Sequence, residues 1–163
     1  MWKTQEPKYV VLICVMSILV LCLAWKGLKV YEFRVDESYV NEQDILLLDN
    51  AYDYDVNINY FNGNIFADGW FIKKGESTTR KSNLHMIMRH CESGKCYMLP
   101  TEVTKRADIT DFFGEKDRKY DWSGFIVRKD KVDVPNGLYE LIIMFEYNNS
   151  DGMVKLDRTI EIY

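Results

Sequence analysis

LYELIIMFEY (138–147), NNSDG (148–152) and VKLDRTIEI (154–162) form the stretch on which the fold assignment turns. Tyr139, Leu141, Ile143, Phe145 and Tyr147 are apolar at every second position, and Val154, Leu156, Ile160 and Ile162 repeat the pattern on the return. Side chains alternate faces along a strand, so each run has one apolar face, and the Asn- and Gly-containing link between them closes a hairpin. Each apolar row must be buried as a unit, because a slip of one residue would turn the whole row to solvent.

Upstream, the same period recurs. Tyr54, Val56, Ile58 and Tyr60 alternate with Asp53, Asp55, Asn57 and Asn59, which predicts a half-buried strand. Asn62-Gly63-Asn64 tolerates positive φ and should return the chain as Ile65–Lys73. Asn83–Arg89 and Cys96–Val103 read as a further pair around Glu92–Lys95. Asp108–Phe113 reads as one helical turn, capped by Asp108 and stopped by Gly114. Trp122–Arg128 is strand-like, and Pro135-Asn136-Gly137 is a turn before the final hairpin. Val30–Val35 has strand composition, and Ile45–Leu48 reads equally as a short strand or a helical turn. Short strands between turn signals with little helix predict an all-β chain, an antiparallel β-sandwich of Ig-like or jelly-roll-like type, with an open barrel as the alternative.

Tyr9–Trp25 is a different kind of sequence, seventeen residues without a charge between Lys8 and Lys26, all apolar but Ser17. As a helix it extends about 25 Å, which spans a hydrocarbon core when the flanking lysines snorkel. Residues 1–29 are thus expected to form a tail and a single transmembrane anchor (helix about 9–25), and residues 30–163 one domain. A cleaved secretory signal is the rival reading. The apolar run exceeds the usual 7–15 residues of such a signal and runs into Trp25. The flanking positive charges balance and do not vote on orientation.

The net charge of −4 conceals an asymmetry. Four lysines against one glutamate give residues 1–29 a charge of +3, so residues 30–163 carry −7. A domain this acidic does not grip nucleic acid by charge, and no nucleic-acid partner or cofactor is expected.

Candidate chemistry is sparse. Cys91 and Cys96 flank a hairpin turn, and in an exported domain they are expected as a disulfide. His85 and His90 complete a set of zinc-type ligands, but His90 and Cys91 are adjacent and point to opposite faces of a strand, so no metal is expected. Trp70, Tyr120 and Trp122 offer an aromatic platform for a glycan or a partner; core packing is the commoner use of such residues. Arg106 and Asp108 should form a buried or semi-buried ion pair that fixes the turn.

Gly69-Trp70, Arg106-Ala107-Asp108-Ile109, Ser123-Gly124-Phe125 and Pro135-Asn136-Gly137-Leu138-Tyr139-Glu140-Leu141 resemble words of the β-sandwich accessory modules of Gram-positive membrane proteins linked to cell-surface polysaccharide assembly. The resemblance spans about residues 54–163 and implies a β-sandwich with an accessory role outside the cell; it brings no catalytic residue. The resulting expectation is a membrane-tethered, non-catalytic interaction module at the cell envelope. Its domain would lie outside the cell, its anchor in the membrane, and its partner would be a protein or glycan. A glycan-active hydrolase or transferase, or a secreted sandwich after signal cleavage, is the alternative.

Overall fold

The computed structural model describes residues 15–18, 40–114, 116–130, 132, 134–148 and 150–163. The chain divides into two compact units, Met1–Arg34 and Val35–Tyr163. In the first, only Val15–Ile18 are described, and they are helical. Among the described residues no helix is long and apolar enough to cross a membrane. Most of the expected anchor, and the strand expected over Val30–Val35, lie outside the described residues.

The second unit is built from two sheets. Its strands are β1 (Ile45–Leu47), β2 (Tyr52–Phe61), β3 (Asn64–Lys73), β4 (Asn83–His90), β5 (Cys96–Met98), β6 (Thr101–Thr104), β7 (Gly124–Lys129), β8 (Gly137–Glu146) and β9 (Asp151–Ile162), with helix α1 at Ala107–Phe113. One sheet has the order β1-β9-β8-β4-β5 and the other β2-β3-β7-β6. Every pairing is antiparallel except β1 with β9. The ambiguous stretch at Ile45 is therefore a short strand, preceded by a 3-10 turn at Glu42–Asp44. Between β2 and β3, Asn62 (φ 50°) and Gly63 (φ 77°) are both left-handed, as a two-residue hairpin turn requires.

The two sheets share one core. Tyr139, Leu141, Ile143 and Phe145 of β8 pack with Leu84, Met86 and Met88 of β4 and with Val154 and Leu156 of β9; the other sheet contributes Val56, Ile65, Ala67, Phe71, Phe125 and Val127. These are the rows that alternate in the sequence, and they are buried. The Tyr147 hydroxyl crosses the sandwich to donate to Phe71 O at 2.7 Å. The last hairpin is not a plain ladder. Glu140 pairs with Thr159 but Ile142 pairs with Lys155, so β9 carries two extra residues opposite Leu141. An even insertion preserves the parity of the strand, which keeps Ile160 and Ile162 on the same face as Val154 and Leu156.

Three local expectations are corrected. Cys96–Val103 is not one strand: Leu99 N–H still donates to Met86 O at 2.8 Å, but Pro100 has no N–H to extend the ladder. The chain therefore crosses to the other sheet, where β6 pairs with β7. Asp108 does not cap α1. Arg106 occupies the N-cap position without a side-chain cap bond, and Asp108 lies inside the first turn, held by the Arg106 guanidinium at 2.7 Å. Gly114 does stop the helix, in the left-handed conformation at φ 61°.

Candidate functional site

β4, β8 and β9 alternate between the shared core and an outer face, and the outer face is laid out in cross-strand rows. At one end Asn83 lies opposite Glu146, which lies opposite Asp151; in the next row His85 lies opposite Met144, which lies opposite Met153. These two rows and Asp44 from the 3-10 turn line a cleft of about 730 Å³. Its described lining contains three carboxylates and one histidine, but no lysine or arginine. Glu146 and Asp151 are directly opposed on neighbouring strands, where like charges are destabilising. Asn83 Nδ2 donates to Glu146 Oε2 at 3.1 Å and takes up part of that charge.

The rim at the β8–β9 turn is tied down. Tyr147 N–H donates to Ser150 O at 2.7 Å, and Ser150 Oγ donates to Glu76 Oε2 at 2.6 Å. Burial of Glu76 works against its charge, but the bonds from Lys73 and Ser150 outweigh it and hold the carboxyl below its ordinary range. The rim is held by a charge-assisted bond rather than by contacts of the turn alone.

Farther along the same face, Ile87 and Ile142 are buried in a small cluster with Cys96, covered by Val40, Ile45, Met144 and Met153. Beside it Glu140 accepts from Lys155 and from Arg89 Nη1, and Arg89 also reaches Glu42. The Lys155 bond, reinforced by Arg89, holds the Glu140 carboxyl below its ordinary range against the opposing effect of burial. Chemically, the face combines the half-buried Met144 and Met153 with a concave acidic end. It can seat an apolar segment that carries a positive charge.

The residues singled out from the sequence fall elsewhere. Cys91 is exposed and a free thiol, whereas Cys96 is buried with its Sγ donating to Gly94 O at 3.6 Å, so the expected disulfide between them is absent. Arg89, not Cys91, lies opposite Cys96, and Cys91 falls just past the end of β4. Tyr120 is fully buried with Ile72 and Ile109, and its hydroxyl accepts from Gly75 N–H at 2.9 Å, so it is a core residue and cannot join an exposed platform. Trp70 is half-buried and meets Phe113 edge-on at 5.7 Å. Trp122 is half-buried in the turn before β7, where its backbone N–H donates to Thr78 Oγ1. His85 lines the cleft, while His90 is buried with its Nδ1 3.0 Å from Ser93 Oγ. Among the described residues no group of three or more His, Cys, Asp or Glu side chains is placed to hold a metal ion. The Arg106–Asp108 pair is present, but it is exposed rather than buried.

The cleft residues Asp44, His85, Glu146 and Asp151 were not anticipated as a group. Their outward orientation follows from the alternation, but their meeting depends on strands distant in sequence. In comparisons with known proteins, no protein-family model, curated protein or solved structure matches the chain.

Proposed function

We propose that the chain is a membrane-tethered, non-catalytic binding module of Ig-like organisation, whose ligand surface is the outer face of the five-stranded sheet. The cleft carries this reading: a concave end with three carboxylates and no cation in its described lining, continuous with the apolar Met144 and Met153. Glu146 and Asp151 lie opposite each other on neighbouring strands, an arrangement of like charges that a positively charged group on a partner would complement.

The Ig-like assignment is supported by connectivity. β2-β3-β7-β6 and β5-β4-β8-β9 follow the order of the two sheets in such sandwiches. β8 also opens on Tyr139, whose hydroxyl returns to Pro135 O, four residues upstream, in the manner of a tyrosine corner. The charge-free run Tyr9–Trp25 supports the tether. The resemblance to accessory modules of surface-polysaccharide assembly supports a place at the cell envelope.

The test compares partners recovered with the full chain from its own membranes, after mild cross-linking, for the wild type, for Glu146→Lys with Asp151→Lys, and for Asp130→Lys as a control. The wild type and the control should recover the same partner, and the double variant should lose it. Recovery unchanged by the double variant contradicts the reading. Turnover of envelope glycans that disappears in Glu146→Gln would favour a glycan-active enzyme instead.

A further inference from the structure

The long edge of the four-stranded sheet is complementary to itself. β2 is the outermost strand of that sheet, and all ten of its residues pair with β3 in one unbroken register, from Tyr52↔Lys73 to Phe61↔Asn64. It contains no proline, lysine or bulge; the only charges on it are Asp53 and Asp55.

The direction of its open hydrogen-bonding groups follows from the ladder. Lys74 N–H donates to Ala51 O at 2.8 Å, and bonded pairs alternate, so the odd-numbered residues of β2 are bonded to β3. The even-numbered residues Tyr54 to Tyr60 therefore turn their N–H and C=O groups outward, whereas Tyr52 N–H donates back to Asp49 O at 3.2 Å. Tyr54 N–H is taken up by the Asp53 side chain at 3.0 Å.

Residues 52–60 read Tyr-Asp-Tyr-Asp-Val-Asn-Ile-Asn-Tyr. Rotated by a two-fold axis through Val56, the strand matches itself. Asp53 meets Asn59, Asp55 meets Asn57, Tyr54 meets Ile58, and Tyr52 meets Tyr60. Each apolar residue on the core side meets an apolar one. Each carboxylate on the outer side meets an amide that can donate to it, in the closer, non-bonded type of pair. This register also places the outward groups of Val56, Tyr54 and Ile58 opposite one another. A parallel arrangement in register would instead oppose Asp53 to Asp53 and Asp55 to Asp55.

The other sheet offers a second observation. Tyr54 Oη accepts from Asp157 N–H, and Tyr60 Oη donates to Tyr163 O, so β2 lies over β9. β1 lies one strand farther out. Leu46 pairs with Val154 and shares its core-facing side, yet it is 44% exposed. Among the described residues five strands face four, and no described strand lies over Leu46, where an added strand beside β2 would sit.

The geometry points to a second copy of this chain as the occupant: two β2 strands pair antiparallel about Val56, joining two four-stranded sheets into one of eight. The contact is isologous and closes on itself, so it makes a dimer and not a fibre. This surface is separate from the acidic cleft and does not depend on the binding proposed there.

The test is register-specific cross-linking of the full chain in its membrane, with Cys14, Cys22 and Cys91 replaced by alanine. Asp55→Cys with Asn57→Cys places thiols opposite each other across the axis and should give a disulfide-linked dimer on mild oxidation. Asp55→Cys with Asn59→Cys does not, and should give several-fold less. Absence of the first product, or equal yields, overturns the proposal. A cysteine-independent measurement is the mass of the full chain in detergent micelles. The wild type should be dimeric, Asn57→Asp with Asn59→Asp monomeric, and addition of Asp53→Asn and Asp55→Asn should restore the dimer by exchanging the two partners. A monomeric wild type, or a four-fold exchange that stays monomeric, overturns it.

Discussion

The Tyr139 hydroxyl donates to Pro135 O at 2.5 Å, so the first core residue of β8 also holds the turn that delivers the strand. Tyr139 is buried against His90 and Tyr97. Its ring fills the core while its oxygen satisfies a carbonyl in a turn that has no strand partner. Tyr139→Phe keeps the ring and loses the bond, leaving that carbonyl unpaired, and should destabilise the unit 35–163 by roughly 1–2 kcal/mol in urea unfolding. An unchanged midpoint would show that the turn holds itself.

The same phenol governs behaviour in alkali. Burial pushes Tyr139 up to about 12, and burial raises Tyr147 as well. The unfolded chain ionises these groups near their ordinary value of 10.0, the folded one only above it. The folded state therefore binds more protons in that window, and stability should fall as pH rises from 10 toward 12. Tyr139→Phe should flatten this loss, measured by thermal unfolding across the range.

Ile143 tests the buried row. It is fully buried between the sheets, and Ile143→Ala should cost about 2–5 kcal/mol through lost burial and a residual cavity. Glu161→Ala, exposed on the neighbouring strand, should cost less than about 0.5 kcal/mol. Lys155, which simple alternation would class as an ordinary surface residue, is bonded to Glu140; Lys155→Ala should fall between the two, near 1 kcal/mol or below. Equal effects of all three would contradict the core.

Glu140 should make the domain acid-sensitive. Its carboxyl is held below the ordinary value of 4.5, first by Lys155 and then by Arg89. A depressed carboxylate stabilises the fold fully above its unfolded value, and the contribution disappears as pH falls from 4.5 through the folded value. Glu140→Gln should reduce the slope of stability against pH below 4.5 without abolishing it, because Glu76 is depressed in the same way.

The faces of this domain and its hairpin pairs β2–β3, β4–β5 and β8–β9 were legible in the sequence, and the order of the strands across the two sheets was not. Alternation at Tyr139–Tyr147 and Tyr54–Tyr60 reports which side chains go inward: the structure buries the first row and Val56 of the second, and packs Tyr54, Ile58 and Tyr60 half-buried against the core. It does not report which strand lies beside which. Cys96–Val103 was read as one strand across Pro100, and the break came from the missing donor there. The Cys91–Cys96 pairing failed because nearness along a turn is not cross-strand opposition, and Tyr120 takes the core role that is the commoner use of such a residue, buried with Ile109 of α1 and Ile72 of β3. The cleft escaped for a related reason: Asp44, His85 and Asp151 come together only through the strand order β1-β9-β8-β4.

The most direct measurement is photo-cross-linking from a light-reactive amino acid at position 151 of the full chain in its own membrane, with position 130 as the control. If the outer face of the five-stranded sheet is the ligand surface, position 151 should give one discrete adduct with a partner that presents positive charge, position 130 should not, and Glu146→Lys should remove the adduct. No adduct at 151, or the same adducts from both positions, would contradict the account.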